Sequence, residues 1–157
     1  MKDILKLMDN DFLECMQKGA ILTESDLNQL SPLVLAYIGD TVYEVFIRSM
    51  LVSEGRASVH TLHKRSVAFV KAKSQSDVIH KIMESLTAEE QDVVRRGRNA
   101  KSGTIPKNAD VTEYKYATGF ESLVGYLYLK KDYDRLRKVL EMAVAARKND
   151  LNNKPTP

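Results

Sequence analysis

Two carboxylates interrupt stretches otherwise suited to a helical core. Asp40 lies in Tyr37-Ile38-Gly39-Asp40-Thr41-Val42-Tyr43-Glu44, and Glu121 lies in Gly119-Phe120-Glu121-Ser122-Leu123-Val124-Gly125-Tyr126-Leu127. Burying a carboxylate is costly unless it is paired or holds a metal. A glycine inside a helix costs roughly 1 kcal/mol against alanine. Gly39 beside Asp40 combines both costs, which points to function rather than folding. Oxygen donors without Cys or His at ligand spacing suit a hard cation such as Mg²⁺. The competing reading is a solvated or salt-bridged Asp. Glu44 has a plainer account of its own: Arg48 follows it at i+4, the favourable order for a surface ion pair.

Positive charge gathers in two acid-free runs. Residues 55–76 carry Arg56, Lys64, Arg65, Lys71 and Lys73 with His60 and His63, and residues 95–108 carry Arg95, Arg96, Arg98, Lys101 and Lys107 with Asn99 and Thr104. Lys and Arg with Ser, Thr and Asn are the set that contacts phosphates. There is no Trp, and Phe69 is the only Phe, Tyr or Trp in either run. Base stacking is thereby disfavoured, and backbone and shape recognition of a duplex fits better. The candidate contacts to such a phosphodiester backbone are Arg95, Arg96, Arg98, Asn99, Lys101, Thr104 and Lys107, with Lys71 and Lys73. A solvated basic face is the alternative, and His60 and His63 read as surface or packing residues.

The elements that must position these groups read as helices nearly throughout. Residues 3–17 predict an amphipathic opener. Ser31-Pro32 starts a helix reaching about Ser53, with Ser as cap and Pro at the first position. Gly55 ends it, and Ser58 opens a basic segment to about Leu86, with an interruption expected near Lys73-Ser74. Thr87-Ala88-Glu89-Glu90 is a capping-box pattern. Helices are expected from about Asp110 to Lys130 and from Asp132 to Lys148. At 100° per residue, the first long helix puts Val34, Ile38, Val42, Val45 and Ser49 on its core stripe, flanked by Leu35 and Phe46. Asp40 falls on a second apolar face with Leu33, Tyr37 and Leu51. In the later helix, Tyr116, Phe120, Leu123, Val124 and Leu127 form the core stripe, with Glu121 beside it between the small residues Ala117 and Gly125. The two helices are expected to cross near Asp40 and Glu121, so that both acids face one site.

Bulk properties agree with one helix-rich domain. The 157 residues are 43% hydrophobic and 29% charged, with 7 Gly and 4 Pro, enough to bury a core without staples. Cys15 is the only cysteine, which excludes an intrachain disulfide and a Cys-based metal cluster and suits a reducing, cytoplasmic setting. No apolar run approaches the ~20 residues that span a bilayer, and the N-terminus has no signal-peptide apolar region. The expected organisation is one domain over residues 1–148 and a flexible tail over 149–157.

These residues resemble the ribonuclease III catalytic domain. Leu35-Ala36-Tyr37-Ile38-Gly39-Asp40-Thr41-Val42 lies on that family's signature, Leu-Glu-Phe-Leu-Gly-Asp. Thr118-Gly119-Phe120-Glu121-Ser122-Leu123-Val124-Gly125 lies on its second acidic motif, and Leu62-His63-Lys64-Arg65-Ser66-Val67 is similar to the helix between them. Ala36 and Thr118 stand where the wider family has acids. That pattern resembles the Mini-ribonuclease III subfamily, as does the run Arg96-Gly97-Arg98-Asn99-Ala100-Lys101-Ser102-Gly103-Thr104-Ile105-Pro106-Lys107-Asn108. The subfamily lacks the C-terminal double-stranded-RNA-binding domain, and the chain is expected to lack it too.

The resemblance implies an all-α fold, a homodimer with Leu33 and Tyr37 at its interface, and Mg²⁺-dependent cleavage of duplex RNA, with Mn²⁺ able to substitute. Asp40 and Glu121 are the implied catalytic and metal-binding residues. The implied substrate is the double-stranded ends of precursor 23S ribosomal RNA, cut to 5′-phosphate and 3′-hydroxyl products, with a large-subunit ribosomal protein as a candidate further partner. Loss of two acids keeps open a catalytically inactive duplex-RNA binder acting in ribosome assembly. The Tyr37 face keeps open a protein-interaction module. Thr118 has two readings, a water-orienting hydroxyl or simple helix packing.

Overall fold

The computed structural model describes residues 15–16, 22–101 and 103–154. Every element among the described residues is helical: α1 (Glu24–Gln29), α2 (Pro32–Ser53), α3 (Val59–Val70), α4 (Ala72–Ile82), a 3₁₀ turn (Met83–Ser85), α5 (Ala88–Asn99), α6 (Val111–Leu129) and α7 (Tyr133–Asn152). Apart from Cys15 and Met16, which are helical, the expected opener over 3–17 lies outside the described residues. No described helix is long and apolar enough to cross a membrane.

The start signals act as the sequence implies. Ser31 accepts from the Leu33 N–H with Pro32 in the first turn, and Ser58 accepts from Thr61. Thr87 and Glu90 form the reciprocal capping box of α5. Thr23 and Asp26 form a second one, which opens a helix, α1, that the spacing did not suggest. At the other end, α7 continues to Asn152, where a flexible tail was expected from residue 149.

Helix α6 is the axis of the packing, with α2, α4, α5 and α7 against it. Glycines set how closely its neighbours approach. A Cβ on Gly39 would meet the Glu121 carbonyl oxygen at 1.8 Å, and one on Gly125 would meet the Leu35 carbonyl oxygen at 1.9 Å. Backbone therefore touches backbone where α2 crosses α6. On another flank, Gly97 and Gly119 let α5 pack closely too, though less tightly: their Cβ positions lie 2.5 Å from Ser122 Oγ and 2.7 Å from the Val94 carbonyl oxygen. The Ser122 hydroxyl, fully buried in this crossing, lies 2.9 Å from the Pro32 carbonyl. Phe120, Leu123, Val124 and Leu127 are buried as expected, and Tyr116 is partly buried. Phe120 meets the ring of Tyr43 edge-on at 4.9 Å between centroids.

The face of α2 agrees with the expected one at Ile38, Val42 and the flanking Leu35 and Phe46 and differs from it elsewhere. Val34, Val45 and Ser49 are exposed, whereas Leu35, Tyr43, Phe46, Ile47, Met50 and Leu51 are buried. The helix is apolar nearly all round, so periodicity alone cannot choose its core side. The glycine contact with α6 chooses it. Val34, Tyr37, Val45 and Val52 are left as an exposed apolar stripe.

The basic segment breaks at Lys71, earlier than expected, where the backbone is extended between α3 and α4. Side chains satisfy the carbonyls freed there. Ser74 Oγ donates to Ala68 O at 2.7 Å, Arg147 Nε donates to the same oxygen at 2.7 Å, and Gln75 Nε2 donates to Val70 O at 2.8 Å.

Candidate active site and nucleic-acid interface

Asp40 and Glu121 come together because the Gly39–Gly125 crossing lays α2 directly on α6. Gly39 touches the backbone of Glu121 itself. Asp40, one residue on, is exposed at the edge of this crossing, and Glu121 is partly buried. Burial, and then the nearby Asp40 carboxylate, push Glu121 up to about 8, with only the Gln75 amide acting the other way. Partial burial and the Glu44 carboxylate one turn on push Asp40 above its ordinary value. Two carboxylates that repel in a poorly solvated place favour holding a proton or a cation between them. Glu44 pairs with Arg48 at 3.3 Å, matching the expected surface ion pair.

Among the described residues no cluster of three or more His, Cys, Asp or Glu is positioned to hold a metal. A donor set of two carboxylates, Asp40 and Glu121, would fit a hydrated hard cation that keeps most of its waters. The positions that carry acids in the wider family are closed here: Ala36 is 6% exposed and Thr118 is 9% exposed. Thr118 Oγ1 donates to Tyr114 O at 3.0 Å within its own helix. Gln75, the neighbour of Glu121, was not singled out in the sequence. It sits in a polar run and becomes buried only through tertiary packing.

The basic residues fall into distinct settings. Arg95 and Arg96 are exposed at the end of α5 and both reach Asp92, at 3.5 Å and 3.2 Å. Such surface pairs contribute little and can be exchanged for a phosphate. Arg98 is held more firmly. Its Nη1 donates to the Tyr116 hydroxyl at 3.2 Å, its Nε donates to Asn99 Oδ1 at 3.2 Å, and its guanidinium lies over the Tyr116 ring at 5.4 Å. Asn99, Lys101, Thr104 and Lys107 are exposed at or within the loop leading to α6. Lys71 is exposed at the α3–α4 junction. Lys73 pairs with Asp77 at 3.4 Å and with Glu113, at the start of α6, at 3.7 Å. His80 packs on the ring of Tyr116 at 4.1 Å between centroids. Tyr116 thus links the side of α4 to Arg98 and the basic loop.

Comparison with known proteins decides the family. The Ribonuclease III domain model matches residues 33–132, which span both acids and the basic loop. The chain is 46% identical over 137 residues to a Mini-ribonuclease 3 of Thermoanaerobacter sp., covering 87% of this chain and 96% of that protein. The chain belongs to the ribonuclease III family, in its Mini-ribonuclease 3 branch. It is also 51% identical over 114 residues to a Mini-ribonuclease 3 of Symbiobacterium thermophilum, covering 73% of this chain and 88% of that protein. A crystal structure of a Fusobacterium nucleatum protein superposes with a TM-score of 0.69 at 34% identity, covering 76% of this chain and 96% of that one. As a member of the Mini-ribonuclease 3 branch the protein is an endoribonuclease, and its family is one of divalent-metal-dependent enzymes acting on double-stranded RNA.

Proposed function

We propose that the protein uses Mg²⁺, or Mn²⁺ in its place, to hydrolyse phosphodiesters in the double-stranded ends of precursor 23S ribosomal RNA. The observation that carries this reading is the apposition of Asp40 and Glu121 across the α2–α6 crossing, where their repulsion and burial push Glu121 up to about 8. Asp40 and Glu121 would hold the ion. When bound, it supplies Lewis acidity to a water and offsets charge on the reacting phosphate. The protein's own residues do the rest. Gln75 steadies Glu121 from α4, and Arg95, Arg96, Lys101 and Lys107 contact the RNA backbone. Two copies of the chain pair through the exposed stripe of α2, with Tyr37, 81% exposed, and the partly buried Leu33 in the contact. An apolar stripe of this kind marks an interaction surface.

The test is incubation of the purified protein with duplex RNA, with and without Mg²⁺, beside Asp40→Asn. Fragments with 5′-phosphates that require both the ion and the acid are expected. A specific observation favours a second reading, a non-cutting duplex-RNA binder: Ala36 and Thr118 leave the site with two acids. If the unaltered protein binds duplex RNA but releases no fragments with Mg²⁺ or Mn²⁺, that reading replaces the first.

A further inference from the structure

We infer that the cleft between α4 and the C-terminal half of α7 is a phosphate-binding site, separate from the Asp40–Glu121 pair and from the basic loop. The cleft holds about 500 Å³. Its floor includes Arg147, which is 4% exposed. The Arg147 Nε is bound to Ala68 O, yet the guanidinium has no carboxylate at ion-pair distance among the described residues. A buried charge without a counter-charge is costly, so the cleft is electrostatically incomplete as it stands.

The start of α4 adds a second, independent feature. This helix of 11 residues has Lys71 at its N-cap, with no side-chain cap. The first N–H groups of α4 therefore lack intrahelical partners, and Lys71, Lys73 and Ser74 at this end line the cleft. A helix N-terminus with free N–H groups favours an anion. The surrounding charge points the same way. Of the two acids in the lining, Asp77 is taken by Lys73 and Asp150 by Lys81. Among the described residues, Lys71, Arg147 and Lys154 remain as uncompensated cations of the cleft. Several N–H donors around one compact anion are the chemistry of phosphate recognition.

Two sources can supply that group. The cleft joins the basic face through His80, Tyr116 and Arg98, so a phosphate of bound RNA can reach it, and a free polyphosphate offers the same chemistry. This inference does not depend on cleavage, and its test is arranged accordingly. Inorganic pyrophosphate is titrated by calorimetry into Asp40→Asn protein, without Mg²⁺ and at fixed ionic strength. Saturable binding of one pyrophosphate per chain is expected, with at least a tenfold loss in Lys154→Glu and in Arg147→Gln. The exposed α7 residue Lys138, changed to Glu, matches the charge change outside the cleft and leaves the binding as it was. Lys154 is exposed, so its variant reports on the cleft even where Arg147→Gln fails to fold. Absence of saturable binding, or equal losses in Lys154→Glu and Lys138→Glu, overturns the site. Duplex-RNA affinity of the same variants then separates the sources. A parallel loss assigns the phosphate to RNA, and an unchanged RNA affinity beside lost pyrophosphate binding assigns it to a free anion.

Discussion

At the level of a single residue, Glu121 is a carboxyl whose surroundings disfavour its charged form. Its carboxyl is pushed up to about 8 by burial and by Asp40, so the metal-free protein keeps it protonated at neutral pH. The unfolded chain ionises the same group near 4.5. Between those values the folded state holds a proton that the unfolded state has lost, so stability falls as pH rises through the window, by about 1.4 kcal/mol per pH unit. Glu121→Gln removes that penalty. The expected outcome is a higher melting temperature than the unaltered protein at pH 8 without metal, little difference at pH 5, and no cleavage at either. Thermal scans at the two pH values check it; equal melting temperatures at pH 8 would count against a strained pair. Divalent cations compete with the same proton, so Mg²⁺ should stabilise the unaltered protein more at pH 8 than at pH 6. Both acids were legible in the sequence because each breaks an apolar pattern. Gln75 and Arg147 were not, because a polar residue in a polar run gives no sign that the fold will bury it.

Elements hold these residues through backbone proximity and a few buried polar links. Gly125→Ala places a methyl against the Leu35 carbonyl, where the ideal position is 1.9 Å away, and α2 must move off α6. Overpacking of this kind costs about 1–3 kcal/mol. Activity is expected to fall with it, because the same shift separates Asp40 from Glu121; urea unfolding and a cleavage assay read the two effects. In α5, Glu90 is 3% exposed and accepts from Arg135 at 2.8 Å and 2.7 Å. Burial opposes its charge, but Arg135 and the Thr87 N–H outweigh burial and hold its carboxyl below the ordinary 4.5. A lowered folded value means that the pair's contribution is present above about 4.5 and is lost as pH falls. Arg135→Ala, which strands a buried carboxylate, should cost about 3–5 kcal/mol at pH 7 and distinctly less near pH 4. Urea unfolding at the two pH values reads the difference. The capping box that starts this helix was readable from Thr87 and Glu90, whereas the partner on α7 was not. The same limit explains the misjudged face of α2: capping is local, but the core side of a helix apolar all round is chosen by a glycine contact with a residue some eighty positions away.

For the whole molecule the open question is how the α2 stripe is covered. Val34, Val45 and Val52 lie on one line of that helix with Tyr37 beside them, all exposed, and the nearby groove of about 200 Å³ carries Leu51, Leu62 and Val59. Asp40 sits at the border between this stripe and the core. A second copy docked here would bring two acid pairs and two basic loops to one assembly, a surface suited to a duplex rather than to a single strand. Val45→Asp tests the arrangement with little direct effect on the site. Val45 is five residues from Asp40 and about 140° round the helix, so the new charge is not aimed at the carboxylates. Sedimentation should change from twice 17.8 kDa to 17.8 kDa, and duplex cleavage should fall with it. Stabilisation by Mg²⁺ should persist, because the proposed site draws only on Asp40 and Glu121 of one chain. Duplex binding by the unaltered protein should weaken steeply with salt, by roughly one decade in affinity per decade of salt for each phosphate held, and Val45→Asp should show a shallower slope, since each monomer holds fewer phosphates. An unaltered protein that already sediments as a monomer while cutting duplex RNA would remove the stripe from the mechanism and leave the acid pair and the basic loop to act within one chain.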